Sequence, residues 1–136
     1  MHKSINNLLS IENKLNVSRS SVNKKDSKII AVSKTFPIEK ILPLLKYGHK
    51  DYGENKVQEA VEKWTKIKNE FQNINLHMLG KVQTNKVKFL LPLFDYLHSL
   101  DNLKLAEKIS KEEVKKNKKL KILFKLILIT RSKRVE

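Results

Sequence analysis

Apolar residues follow two alternating patterns along the chain. Short apolar runs bounded by polar residues predict strands, and stripes spaced three or four residues apart predict amphipathic helices. The strand-like runs lie at residues 28–35, 49–53, 75–79, 94–100 and 121–129. The helical stripes lie before and between them, so the pattern predicts an α/β fold with a leading helix, four βα units and a fifth strand.

The first strand-like run, residues 28–35, is the one that ends in a candidate reactive residue. Its four consecutive apolar residues, 29–32, predict a strand covered on both faces, as in a parallel sheet. Ligands of parallel sheets gather where strands end, and this strand ends at Lys34. An amine there can condense with a carbonyl compound. From position alone, an ion-paired or solvated lysine is the alternative.

The flanking segments carry more specific predictions. A stripe from Ile5 to Leu15 predicts the leading helix, and the polar residues 18–27 predict a loop after it. After the fourth strand, Asp101 is expected to cap a helix. The predicted inner face of that helix consists of Leu103, Ala106, Ile109 and Val114.

Polar residues follow each of the first four strands. Since parallel strands end at the same edge of a sheet, these residues are expected to share one rim that could hold a small polar carbonyl compound. They are Lys34, Glu54, Asn55, Gly80, Gln83, Asn85, Ser99 and Asp101. Helix capping is the alternative role for Asn55, Asn85 and Asp101. For His77 and His98, which lie within strands, a satisfied core position is favoured over a ligand role. The periodicity fits both an open doubly wound sheet and part of a (β/α)8 barrel.

Composition narrows the functional classes. No glycine follows the first strand, so a nucleotide-phosphate loop is not predicted. The four histidines lack metal-ligand spacing and the chain has no cysteine, so no metal site is expected. The absence of cysteine also leads us to expect a cytoplasmic protein. No apolar stretch approaches the length of a membrane span. The net charge of +15 leaves open a basic βα interaction module that binds RNA or another polyanion, although only three of the 29 basic residues are arginine.

Four segments together resemble the pyridoxal phosphate homeostasis protein family, whose members are related to the N-terminal domain of alanine racemase. The segments are residues 31–35 (AVSKT), 52–59 (YGENKVQE), 77–86 (HMLGKVQTNK) and 98–101 (HSLD). The resemblance implies the N-terminal portion of a (β/α)8 TIM barrel, an incomplete barrel over residues 1–130. It also implies a non-catalytic protein of vitamin B6 homeostasis that binds pyridoxal 5′-phosphate.

The resemblance also implies the cofactor site. Lys34 is the lysine expected to hold pyridoxal phosphate as a Schiff base. Asn55, His77, Gly80 and Ser99 are expected to surround it. No residue is expected to be catalytic.

The chain departs from the family pattern after its fifth strand. With 136 residues it is shorter than the roughly 250 of a closed barrel, and the family's later phosphate-gripping segments have no counterpart. We therefore expect a truncated form with impaired binding, in which residues 131–136 are a basic tail of non-family sequence. Unpaired strand edges in such a form predict self-association.

Overall fold

A computed structural model of the chain describes residues 1–22 and 27–124, without the side chains of residues 19–22. Five helices alternate with five strands. The helices are α1 (Lys3–Val22), α2 (Ile38–Tyr47), α3 (Val57–Glu70), α4 (Val87–Leu93) and α5 (Leu103–Lys116), and a 3₁₀ turn at Thr84–Lys86 leads into α4. The strands are β1 (Ala31–Val32), β2 (Asp51–Glu54), β3 (Asn75–Met78), β4 (Tyr96–Leu100) and β5 (Lys121–Phe124).

The five strands form one parallel sheet in the order β1-β2-β3-β4-β5. Each strand therefore pairs with its predecessor in sequence. A doubly wound sheet reverses its strand order at a switch point, whereas successive strands of a (β/α)8 barrel keep this order. Among the described strands the order does not reverse. Of the doubly wound sheet and the barrel, both of which fit the periodicity, the strand order therefore selects the barrel.

The apolar core lies between the sheet and the helices. Alternate residues of the strands, such as Leu76 and Met78 of β3, meet the buried stripes of the helices. Trp64 of α3 is fully buried and its ring packs against Tyr52 of β2, with 4.9 Å between the ring centroids. Gly48 ends α2 with a φ of 100°, and its amide donates to the carbonyls of Leu44 and Leu45.

Three local predictions are wrong. Helix α1 continues to Val22, so residues 18–22 are helical and are not part of a loop. Val32 is 49% exposed, so the face of β1 on which it lies is not covered and the strand is not buried on both faces. Asn102, and not Asp101, caps α5: its side-chain oxygen accepts from the amide of Leu105.

The inner face of α5 also differs from the prediction. Leu103 and Val114 are exposed, whereas Leu105, Ile109 and Glu112 are buried. Ile109 and the partly buried Ala106 lie on the inner face as predicted, so the prediction is wrong only at Leu103 and Val114. The expected continuation of β5 beyond Phe124 and the basic tail at residues 131–136 lie outside the described residues. Across the described part of the chain, no helix has the length and apolarity of a membrane span.

Candidate functional site

The turn after β1 presents Lys34. The amide of Phe36 donates to the carbonyl of Ser33 at 3.2 Å, so Lys34 and Thr35 occupy the two central positions of the turn. Thr35 has a φ of +65°, in the left-handed region. That conformation is unusual for a β-branched residue and indicates local strain. The side chain of Lys34 is exposed at the carboxyl end of the strand.

The residue before Lys34 is fixed by a buried carboxylate. Ser33 donates from its hydroxyl to Oε1 of Glu54 at 2.7 Å, and its amide donates to the carbonyl of Gly53 at 2.9 Å. Oε1 of the fully buried Glu54 also accepts from Lys63 Nζ and from the indole nitrogen of Trp64, each at 2.9 Å. Oε1 of the buried carboxylate is thus paired and hydrogen-bonded, whereas Oε2 is buried without a hydrogen-bond partner among the described residues.

The residue after Lys34 is held by a second carboxylate, that of Glu59 on α3. The amide of Thr35 donates to Oε1 of Glu59 at 2.6 Å. This hydrogen bond, followed by the neighbouring Lys63, lowers the pKa of Glu59 below its ordinary value. Lys63 links the carboxylates of Glu54 and Glu59, since its Nζ lies 2.9 Å from the first and 3.3 Å from the second. The same Nζ donates to the carbonyl of Ser33 at 2.8 Å.

The ends of β2, β3 and β4 meet through Gly80. Ser99 donates from its hydroxyl to the carbonyl of Gly80 at 2.6 Å. On its other side, Gly80 lies so close to the backbone of Asn55 that an added Cβ would overlap the Asn55 carbonyl. Only glycine allows this approach. The parallel pairing of Val32 with Gly53 brings the exits of β1 and β2, at Lys34 and Asn55, to the same rim.

His77 belongs to a different cluster. Its Nε2 lies 2.9 Å from Asp51, at the amino end of β2, and its Nδ1 lies 2.8 Å from Nε2 of His98. Its ring stacks on Tyr96 with 4.2 Å between centroids. Because a carboxylate only accepts, His77 donates from Nε2, and a neutral His77 then accepts from His98. Burial, followed by the proximity of His77, lowers the pKa of His98.

The structure thus brings four of the five predicted site residues to one rim. Lys34, Asn55, Gly80 and Ser99 lie at successive strand ends, whereas the hydrogen bonds of His77 run to Asp51 and His98. This satisfied, buried His77 matches the core alternative, and its place beside a cofactor stays a prediction. Within the described residues, no group of three or more acidic, histidine or cysteine side chains could hold a metal ion.

Sequence reasoning missed the part of the site that lies on α3. In the sequence, Glu59 stands out only as the last residue of the segment 52–59, and no motif includes Lys63. Their spacing of four residues on a helix is the one available signal, since it predicts a side-chain pair. That Glu59 reaches the amide of Thr35, however, depends on how α3 packs against β1, which no local pattern encodes.

Comparison with known proteins relates the chain to one family, although no family model matches it. The pyridoxal phosphate homeostasis protein of Buchnera aphidicola is 40% identical over 102 residues, which are 75% of this chain and 44% of that protein. The homologue of Aquifex aeolicus is 41% identical over 91 residues, 67% of this chain and 39% of that protein. The chain thus spans less than half the length of these curated relatives.

A solved structure extends the likeness to the fold. PipY of Synechococcus elongatus, determined with pyridoxal phosphate bound, superposes with a TM-score of 0.74 at 31% identity, covering 86% of this chain and 54% of PipY. The parallel five-strand sheet therefore matches the N-terminal part of a TIM-barrel-like fold, as predicted. The resemblance seen in the four motifs is confirmed, and the chain is a relative of the amino-terminal half of the pyridoxal phosphate homeostasis proteins.

Proposed function

We propose that the chain binds pyridoxal phosphate through Lys34 and acts in pyridoxal phosphate homeostasis. The observation that carries the proposal is the exposed Lys34 on a turn that is fixed on both sides, at the carboxyl end of β1. The names of the relatives and the cofactor bound to PipY support it. Asn55, Gly80 and Ser99 border the same rim and are proposed to line the site.

The residues present fit an aldehyde. A primary amine that is accessible to solvent attacks the aldehyde carbon in its neutral form; a C=N bond forms, and the carbonyl oxygen leaves as water. Gly80 and Asn55 pack backbone against backbone at the ends of neighbouring strands on the same rim. The chain's own contribution is to hold the amine in place and to present it.

We further propose that binding is not followed by turnover. The role of the site is then to hold the aldehyde reversibly, which requires the amine and no second group that moves a proton on a bound amino acid. A cytoplasmic location and self-association through strand edges stay predictions from the sequence. The alternative of a basic module that binds RNA rests on net charge alone, and no described contact favours it.

The test is titration of the full chain with pyridoxal phosphate, followed by borohydride reduction of C=N to a stable C–N bond and peptide mapping. We expect the label on Lys34, and we expect Lys34→Ala to lose most of the imine absorbance. Lys46→Ala is the matched control, since Lys46 is an exposed lysine in the last turn of α2. Label spread over many lysines and unchanged in Lys34→Ala would reject the site.

Two further measurements complete this test. A ligand that binds the folded chain raises its melting midpoint, so pyridoxal phosphate is expected to raise it in the native chain and much less in Lys34→Ala. Incubation of the loaded chain with L-alanine is expected to yield no D-alanine by chiral chromatography. Formation of D-alanine that depends on Lys34 would contradict the non-catalytic role.

A further inference from the structure

The strain at Thr35 calls for a cause. A threonine in the left-handed region is a rare conformation that persists only where surrounding contacts enforce it. Such conformations concentrate at functional sites. Here the strained residue follows directly on Lys34, and its amide donates to Glu59 at 2.6 Å.

Strand β2 holds Ser33 through Gly53 and Glu54, and one helix, α3, supplies a contact on each side of Lys34. Glu59 holds Thr35, and Lys63 holds the carbonyl of Ser33 at 2.8 Å, so α3 grips the backbone on both sides of Lys34. Lys63 is itself oriented by Glu54 at 2.9 Å and by Glu59 at 3.3 Å. Lys34 itself, between the two gripped residues, remains exposed.

A purely structural role would account for only half of this arrangement. The pairing of Lys63 with Glu54 neutralises a buried carboxylate and so supports the fold. Glu59, in contrast, has a side chain that is 29% exposed, so its charge needs no partner for the fold to form. Its short hydrogen bond to Thr35 is directed instead at the backbone beside the candidate amine.

We propose that Glu59 and Lys63 are positioning residues that hold the strained turn at Thr35 and thereby set the direction in which the Lys34 amine leaves β1. This inference rests on the proposed function, because Lys34 must receive an aldehyde for its direction to matter. Without Glu59 the turn relaxes, and the amine samples directions away from the rim.

The test uses Glu59→Ala, because loss of Lys63 would also unpair the buried Glu54. Glu59→Gln retains an acceptor for the Thr35 amide and is the conservative rescue. Glu62→Ala is the matched control, since the exposed Glu62 lies on the same helix and its carboxylate accepts from Gln58. Each full-length variant is mixed with pyridoxal phosphate, and the rate of label at every lysine is followed by borohydride trapping and peptide mapping.

We expect Glu59→Ala to slow labelling of Lys34 by about tenfold, the population change that relief of such strain implies, while other lysines react at unchanged rates. Glu59→Gln recovers most of the rate, Glu62→Ala changes nothing, and all three melt near the native midpoint. Faster hydrogen exchange of the Thr35 amide in Glu59→Ala tests the grip itself, without ligand.

The outcomes separate the two proposals. If Lys34 is labelled preferentially in the native chain and equally fast in Glu59→Ala, the positioning role is overturned and the proposed function stands. An unchanged Thr35 exchange rate in Glu59→Ala likewise overturns the positioning role. Uniform labelling of lysines in the native chain overturns the proposed function, and the positioning role falls with it.

Discussion

Two strand exits on the same rim are held in different ways. The exit of β1 is fixed by charged side chains of α3, which bind the backbone on both sides of Lys34. The exit of β3 is fixed by direct contact between the backbones of Gly80 and Asn55, reinforced by the hydroxyl of Ser99. The first arrangement orients an exposed side chain, whereas the second brings two main chains together. Substitutions should therefore affect the two exits through different physics.

The largest effect is expected at the exit of β1 from Lys63→Met. This change leaves the carboxylate of Glu54, which is fully buried, without its cationic partner. Breaking a buried pair in this way costs about 3–5 kcal/mol, so urea denaturation should show a loss of that order in the free energy of unfolding. Lys66→Met removes a surface ion pair with Glu70, in which the two side chains are 85% and 50% exposed. For this variant we expect the free energy of unfolding to change by no more than about 0.5 kcal/mol. Similar losses for the two variants would contradict the network.

A smaller effect is expected at the exit of β3 from Gly80→Ala. The added Cβ would overlap the carbonyl of Asn55, so the strand ends must separate. Overpacking of this kind costs about 1–3 kcal/mol, measured by the same denaturation. The neighbouring Lys81 is exposed, and Lys81→Ala should leave stability unchanged. A neutral Gly80→Ala would mean that the two main chains are not in contact.

The smallest effect concerns pH and should distinguish the two exits. The pKa of Glu59 is lowered chiefly by the Thr35 amide, so its hydrogen bond stabilises the fold above the ordinary value of 4.5 and is lost as the pH falls through the lowered pKa. The Gly80 contacts involve no titrating group. We therefore expect the Thr35 amide resonance to titrate below pH 4.5 and the Gly80 resonance to stay constant. In Glu59→Gln the Thr35 titration should disappear; its persistence would assign it to another group.

Periodicity and motif order were enough to predict the βα alternation, the parallel sheet and the rim. The spacing of Ile41 and Leu45, or of Val57, Ala60 and Trp64, reports which face is buried, and that face is decided locally. Errors arose where tertiary context decides. Val32 was expected in a covered strand, but an apolar run carries no information on what packs over each face of the strand.

The candidate site divides in the same way. That Lys34, Asn55, Gly80 and Ser99 share a rim could be predicted, because parallel strands end at one edge of a sheet. The partners of Lys34 on α3 could not, since a hydrogen bond from Thr35 to Glu59 requires a helix to dock at one depth and one angle on the sheet. His77 was predicted near the cofactor by resemblance, yet its side chain bonds Asp51 and His98.

The consecutive strand order also has a consequence for how the chain acquires its structure. Among the described strands, each pairs with the one made just before it and none waits for a strand further along the chain. Loop-closure entropy grows with loop length, so pairing consecutive strands costs less of it than pairing strands that are more distant in sequence. During synthesis each βα unit can dock as it emerges, and the turn that presents Lys34 takes its final form only once α3 has been made, some two dozen residues later.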